Sequence, residues 1–96
     1  MSKYTLRASA KSDLKEIGRY TQKEWGIAQR DKYLRQLESR FLSLAKTPRM
    51  GRSRNDVKTD YFSFQENAHV IFYLIKKDHI EILAIIHQRM EPTLHL

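Results

Sequence analysis

Apolar positions recur every three or four residues through the first half of this chain, and in alternation or short unbroken runs through the second. The first period is helical and the second belongs to strands, so the order of elements can be read from the pattern alone. Tyr4-Thr5-Leu6-Arg7 alternates as a short strand. Ser9 follows as an N-cap residue, its hydroxyl able to accept from an unpaired backbone N–H, which starts a helix near Ala10. Ala10, Leu14, Ile17, Thr21 and Trp25 lie on one stripe of that helix, with Lys11, Lys15, Arg19 and Lys23 mostly off it. Gly26 breaks it, because glycine takes the left-handed conformation without a Cβ penalty. A second helix runs to about Lys46 on the seam Leu34, Leu37, Phe41 and Leu44, widened by Tyr33 and Ala45, and Pro48 stops it.

Residues 49–60 read as an exposed loop between breakers, with Arg49, Arg52, Arg54 and Lys58 among small polar residues. Strands then span about Tyr61 to Gln65, His69 to Ile75 and Ile80 to His87, joined by short connectors that suit antiparallel hairpins. The order is βααβββ. The economical way to bury these faces is an antiparallel β-sheet packed on an N-terminal αα-hairpin, an α+β fold. Residues 1–96 form one domain, without internal repeats or low-complexity tracts.

Composition narrows the setting. Eighteen basic against eleven acidic residues give a net charge of +7, which draws the chain to something acidic: nucleic acid, an acidic protein or an anionic membrane. The absence of cysteine excludes disulfides and thiolate metal sites and fits a reducing, cytoplasmic interior. Lys3, Arg7 and Lys11 interrupt the stretch where a signal peptide would need its apolar core. The longest apolar run, Val70 to Ile75, is far below membrane-spanning length. A soluble protein without membrane association is expected.

Chemistry concentrates where the last strand ends. His87, Gln88, Arg89 and Met90 follow directly on a run of aliphatic residues, so a buried strand presents them on a rigid base. His87 and Arg89 form either a contact surface for a protein target or solvated groups after a strand; as a catalytic pair they lack a second acid or base unless His95 folds back. The four histidines, His69, His79, His87 and His95, show no metal-ligand spacing, and neither metal nor cofactor is expected. Trp25 and Tyr33 read as half-buried packing ahead of partner anchors. The aromatic group Tyr61, Phe62, Phe64, Phe72 and Tyr73 reads as core ahead of a base-stacking platform. The loop arginines stand evenly between a contact surface and a solvated loop.

The element order, with Ala10-x-x-Asp13-Leu14-x-x-Ile17, Trp25-Gly26, Thr47-Pro48-x-Met50-Gly51, His69-Val70-Ile71-Phe72-Tyr73 and Ile86-His87-Gln88-Arg89-Met90, resembles the toxin subunits of bacterial toxin–antitoxin pairs, specifically the ParE type of the RelE/ParE superfamily. The likeness spans nearly the whole chain. It implies a toxin that binds and poisons DNA gyrase and is held by a ParD-like antitoxin in a hetero-oligomer. The RelE branch instead comprises ribosome-dependent endoribonucleases acting on messenger RNA. RNA cleavage needs a base, positive charge on the phosphate and an acid. Where RelE-like enzymes carry lysines and a central arginine, the alignment places Tyr61, Ser63 and Val70; the terminal tyrosine falls near Leu94 or His95, and Arg89 alone is retained. The resemblance therefore favours the ParE branch, a gyrase inhibitor that is not an enzyme, with the ribonuclease as alternative and a degenerate antitoxin-binding module as a third reading. Target-contact candidates are His87, Arg89, Met90, Arg52 and Arg54; antitoxin-contact candidates are Tyr20, Trp25, Tyr33 and Leu37. Sequence-specific DNA binding is not expected.

Overall fold

The computed structural model describes residues 3–96, so Met1 and Ser2, part of the stretch read for an export signal, lie outside it. Strand β1 (Tyr4–Leu6) leads into helix α1 (Ala8–Trp25) and helix α2 (Ile27–Lys46). A 3-10 turn (Pro48–Met50) and a two-residue strand β2 (Arg52–Ser53) precede β3 (Phe62–Glu66), β4 (His69–Ile75) and β5 (Ile80–His87), and the short helix α3 (Pro92–His95) ends the chain. The expected α+β architecture is present: one sheet, ordered β1-β5-β4-β3-β2, under a helical hairpin. Among the described residues, no helix is long and apolar enough to cross a membrane.

The sheet is mixed where an antiparallel one was expected, because β1 pairs parallel to β5, with Tyr4 opposite Ile80 and Leu6 opposite Ile82. β1 is too short to cover all of β5, and α1 supplies what it leaves out. Ser9, read as an N-cap, donates instead from its hydroxyl to the Leu83 carbonyl at 2.7 Å. The helix starts at Ala8, after an Arg7 that makes no side-chain cap. One turn on, Asp13 accepts from the Ile85 N–H at 2.9 Å. Phe72 faces Ala84 while Tyr73 faces Ile82, so Leu83 is an extra residue on β5 and the ladder carries a bulge there.

Gly26 caps both helices at a φ of 92°, a conformation that glycine takes freely. Gly18 is the buried glycine of α1 at the close approach of the helices: a Cβ there would lie 3.5 Å from Leu34 Cδ1. The core between hairpin and sheet contains Ala10, Ile17, Leu37, Phe41, Leu44, Ile71, Tyr73, Ile82 and Ile85. A second, smaller cluster lies on the opposite face, where Tyr61, Phe72, Leu83, Ala84 and Ile86 are covered by Val57 of the loop and by Leu96. The expectation that the aromatic residues are core holds for Tyr61, Phe72 and Tyr73, which are buried, while Phe62 and Phe64 are partly buried against the main core.

Candidate functional site

Residues 49–60, read as a loop, are anchored at their start by one hydroxyl and beyond it by bonds of their own, Arg54 N–H to the Tyr61 carbonyl and Asp60 N–H to Asn55 Oδ1 among them. Tyr73 Oη donates to the Pro48 carbonyl at 2.6 Å and accepts from the Gly51 N–H at 3.1 Å. This buckle explains the Thr47-Pro48-x-Met50-Gly51 spacing: proline ends the helix, and Gly51 leaves room for the ring, since a Cβ there would sit 2.1 Å from Tyr73 Oη. The chain leaves the buckle as β2, which lies along β3 with Arg52 opposite Ser63.

The two loop candidates then part company. Arg52 is exposed. Arg54 is 16% exposed in its side chain and is held by Asp56 through Nε at 3.0 Å and Nη2 at 3.1 Å, by Ser63 Oγ at 3.3 Å and over the Phe72 ring at 5.4 Å. Its hydrogen bond holds the exposed Asp56 carboxyl below the usual carboxylate range. Arg54 is therefore first a structural residue of the sheet face turned away from the helical hairpin, the concave face, a role its sequence position gives no sign of.

At the other end of the sheet, β5 presents the terminal cluster as expected. His87 Nδ1 accepts from the Arg89 N–H at 3.2 Å, which folds the exit into a tight turn, while Arg89 and Met90 are exposed. Gln88 reaches back across the sheet and accepts from Gln65 Nε2 at 2.5 Å, so the concave face is continuous from β3 to this turn. His87 points the other way. It faces His69 across the β4–β5 ladder with ring centroids 5.7 Å apart, and His69 Nδ1 lies 2.7 Å from Tyr33 Oη on α2. Burial, with His87 adding to it, holds His69 below the ordinary histidine value; burial, with Glu66 adding to it, pushes Tyr33 up to about 12. Sequence spacing missed this pair because its members are neighbours only through strand register. His95 sits on α3, where its charge acts on Asp13. No three His, Asp or Glu side chains converge to hold a metal ion among the described residues.

The antitoxin candidates divide by burial. Tyr33 is 7% and Leu37 0% exposed, so both belong to the core and neither offers a surface to a partner. Trp25, read as half-buried packing, is 71% exposed and Tyr20 64%. The buried stripe of α1 thus ends at Thr21, one turn before Trp25. Between α1, α2 and β1 lies a groove of about 710 Å³ with Leu14, Gly18, Leu34 and Phe41 in it. Lys11, Lys15, Arg19 and Arg35 line the same groove, and all four are exposed.

The structure is thus a small basic sheet-and-hairpin domain with a charged apolar groove and an exposed terminal turn. Comparison places it. The family described as ParE toxin of type II toxin-antitoxin system, parDE, matches residues 4–92. Toxin ParE1 of Caulobacter vibrioides is 32% identical over 96 residues, covering 100% of this chain and 99% of that one. Toxin ParE1 of Mycobacterium tuberculosis is 32% identical over 96 residues, with 99% and 98% covered. Toxin ParE of Escherichia coli is 32% identical over 92 residues, with 95% and 89% covered. The chain belongs to the ParE toxin family of type II toxin–antitoxin systems. A solved structure titled "Chromosomal ParDE TA system from P. aeruginosa" shares the fold, with a TM-score of 0.78 over 91% of this chain and 96% of that one, at 17% identity.

Proposed function

We propose that this toxin binds DNA gyrase, holds it on cleaved DNA and so blocks replication, and that a ParD-type antitoxin neutralises it by direct binding. The observation that carries the non-catalytic reading is what the concave face lacks. Tyr61, Ser63 and Val70 stand where the resemblance puts the ribonuclease lysines and arginine, and His87 is turned to the helix side toward His69. Arg52 and Arg54 can bring positive charge to that face, but the carboxylate beside them, Asp56, is engaged by Arg54, and no Asp, Glu or His lines the recess among the described residues to take a proton from a 2′-hydroxyl. Losing a single oxyanion contact already costs about a hundredfold or more in rate. Acting by occupying a surface needs no such set. The contacts for the target are Arg89 and Met90 at the terminal turn, with His87 fixing the turn from behind, and Arg52.

For the antitoxin, the groove between the helices supports an acidic amphipathic segment. Its apolar floor suits a helix face, and the basic residues of its lining, Lys11, Lys15, Arg19, Arg30 and Arg35, outnumber the acidic Asp31 and Glu38 and so attract carboxylates. Tyr20 and Trp25 extend the surface. A supercoiling assay with purified gyrase beside a translation assay tests the reading: supercoiling should stop, translation should continue, and added antitoxin should restore supercoiling. Cleavage of ribosome-bound transcripts with gyrase untouched would overturn it in favour of the ribonuclease.

A further inference from the structure

Cross-strand partners share a face, so the pairing of Arg52 with Ser63 stands Arg52 on the concave side of the sheet. Ser63 and Gln65 lie there together, two residues apart on one strand. Between β2 and β3 the surface sinks into a cavity of about 220 Å³ whose lining includes Gly51, Arg52, Arg54, Ser63, Gln65 and Val70.

The lining is one-sided in its chemistry. No carboxylate takes part in it. Asp56 holds Arg54 mainly through Nε and Nη2, which leaves Nη1 on Ser63 Oγ at 3.3 Å. Ser63 is 6% exposed, and its hydroxyl accepts from Arg54 while its own proton meets no acceptor among the described residues. Arg52 forms no ion pair among the described residues, so its whole planar fork is unspent. Gln65 Nε2 is occupied by Gln88 and the Asn67 carbonyl, so the amide frames the site without donating into it. A recess lined by two guanidinium groups and a hydroxyl proton, in which Asp56 balances Arg54 from outside the wall while Arg52 has no ion pair among the described residues, keeps a net positive charge and suits a tetrahedral oxyanion, whose geometry an arginine fork matches.

We infer that this cavity binds a phosphate group, with Arg52 as its bidentate contact and Ser63 Oγ and Arg54 Nη1 completing the cradle. The site shares Arg52 with the proposed gyrase contact but does not rest on that reading, because it makes the toxin a direct ligand of phosphate whatever protein it inhibits. A phosphodiester within a nucleic-acid strand and a free phosphate present the same oxygens, and the experiment separates the two. No sequence preference follows, since phosphate contacts carry none.

Backbone amide shifts of the purified chain, titrated with inorganic phosphate against chloride at matched ionic strength, should move at Gly51, Arg52 and Ser63. Anisotropy with a labelled single-stranded oligonucleotide of mixed sequence forms the second arm. Arg52→Gln should weaken phosphate binding about tenfold, as the loss of a charge-assisted bidentate contact. If a strand supplies the phosphate, it should also lower the slope of log affinity against log salt by about one. Ser63→Ala, which leaves every charge in place, should weaken binding in the same arm, and Lys23→Gln on α1, which removes a charge elsewhere, should not. An Arg52→Gln effect in the phosphate arm alone assigns the site to free phosphate. Amides that respond to phosphate no more than to chloride would overturn the inference, as would equal losses in Arg52→Gln and Lys23→Gln. Gyrase inhibition measured on Ser63→Ala, which leaves Arg52 and the terminal turn in place, is a separate readout, so failure of one reading leaves the other standing.

Discussion

Asp13 accepts the Ile85 amide proton at 2.9 Å, linking the first helix to the edge of the last strand across 72 residues of sequence. With Ser9 bonding the Leu83 carbonyl one turn earlier, the helix continues by side chains the ladder that β1 begins with its backbone. Burial raises the Asp13 carboxyl above the ordinary aspartate value, against the opposing pull of the Ile85 N–H and of His95. Asp13→Ala leaves a strand N–H without its partner and should cost about 1.5–3 kcal/mol, the range for hydrogen bonds to charged groups. Asp13→Asn keeps an acceptor oxygen and should cost less. Urea midpoints of the two variants check the order, and equal losses would show that the charge and not the acceptor matters.

The Tyr73 buckle makes a sharper claim about the basic loop. Tyr73→Phe removes the partner of both Pro48 O and Gly51 N and should destabilise by about 1–3 kcal/mol. Gly51→Ala should be worse, because its Cβ meets the Tyr73 hydroxyl and also the Ser63 carbonyl at 2.8 Å. Combining the two should recover only part of the loss, since the carbonyl clash remains. Full recovery in the double variant, read by thermal melting, would mean the hydroxyl alone sets the requirement for glycine.

His69 gives the fold a defined response to acid. Its value lies below 6.5 in the folded chain, so as pH falls the unfolded state takes up the proton first. Stability is then highest above 6.5 and drops as pH descends through the folded-state value. The groups facing it are Tyr33 on α2, Glu66 on β3, paired with Arg40 at 2.7 Å, and His87 on β5. His69→Gln should flatten the change in urea midpoint between about pH 7 and about pH 5, the range in which histidines titrate. Identical slopes in parent and variant would remove His69 as the source.

Binding and folding should separate cleanly among the hairpin residues. Lys15→Glu with Arg35→Glu should weaken capture of the ParD-type antitoxin and reduce its salt sensitivity, with little effect on melting, because both residues are exposed at the groove. Leu37→Ala should do the reverse, lowering stability by about 2–5 kcal/mol as a buried leucine truncation does. Calorimetric titration beside denaturation decides the matter; unaltered affinity in the charge-reversed pair would place the antitoxin elsewhere.

Periodicity sufficed for the hairpin and for β3 to β5, because each of those elements is bounded by its own breakers: Gly26, Pro48 and the short polar turns. It did not suffice where the partner is remote. Three residues of β1 carry no signal for parallel pairing with a strand some seventy-five positions later, and Ser9 looks like a cap because a local bond is the only one a sequence displays. The same blindness covers the site. Arg52 and Arg54 are two residues apart and chemically alike, yet Asp56 and Phe72 immobilise one and leave the other free of ion pairing among the described residues. Trp25 sits in phase with the buried stripe but is left exposed, since the pattern along a helix does not say how far its packing partners extend.

The pairing of β1 with β5 also governs timing. The strand pairing of residues 4–6 and the bonds of Ser9 and Asp13 to the sheet are all made with residues 80–85, so most of the nascent polypeptide must leave the ribosome before the sheet acquires its outer edge. Contacts this distant are made late and slowly. Translation therefore delays the appearance of a finished toxin surface, an interval in which antitoxin already in the cell can be waiting for it.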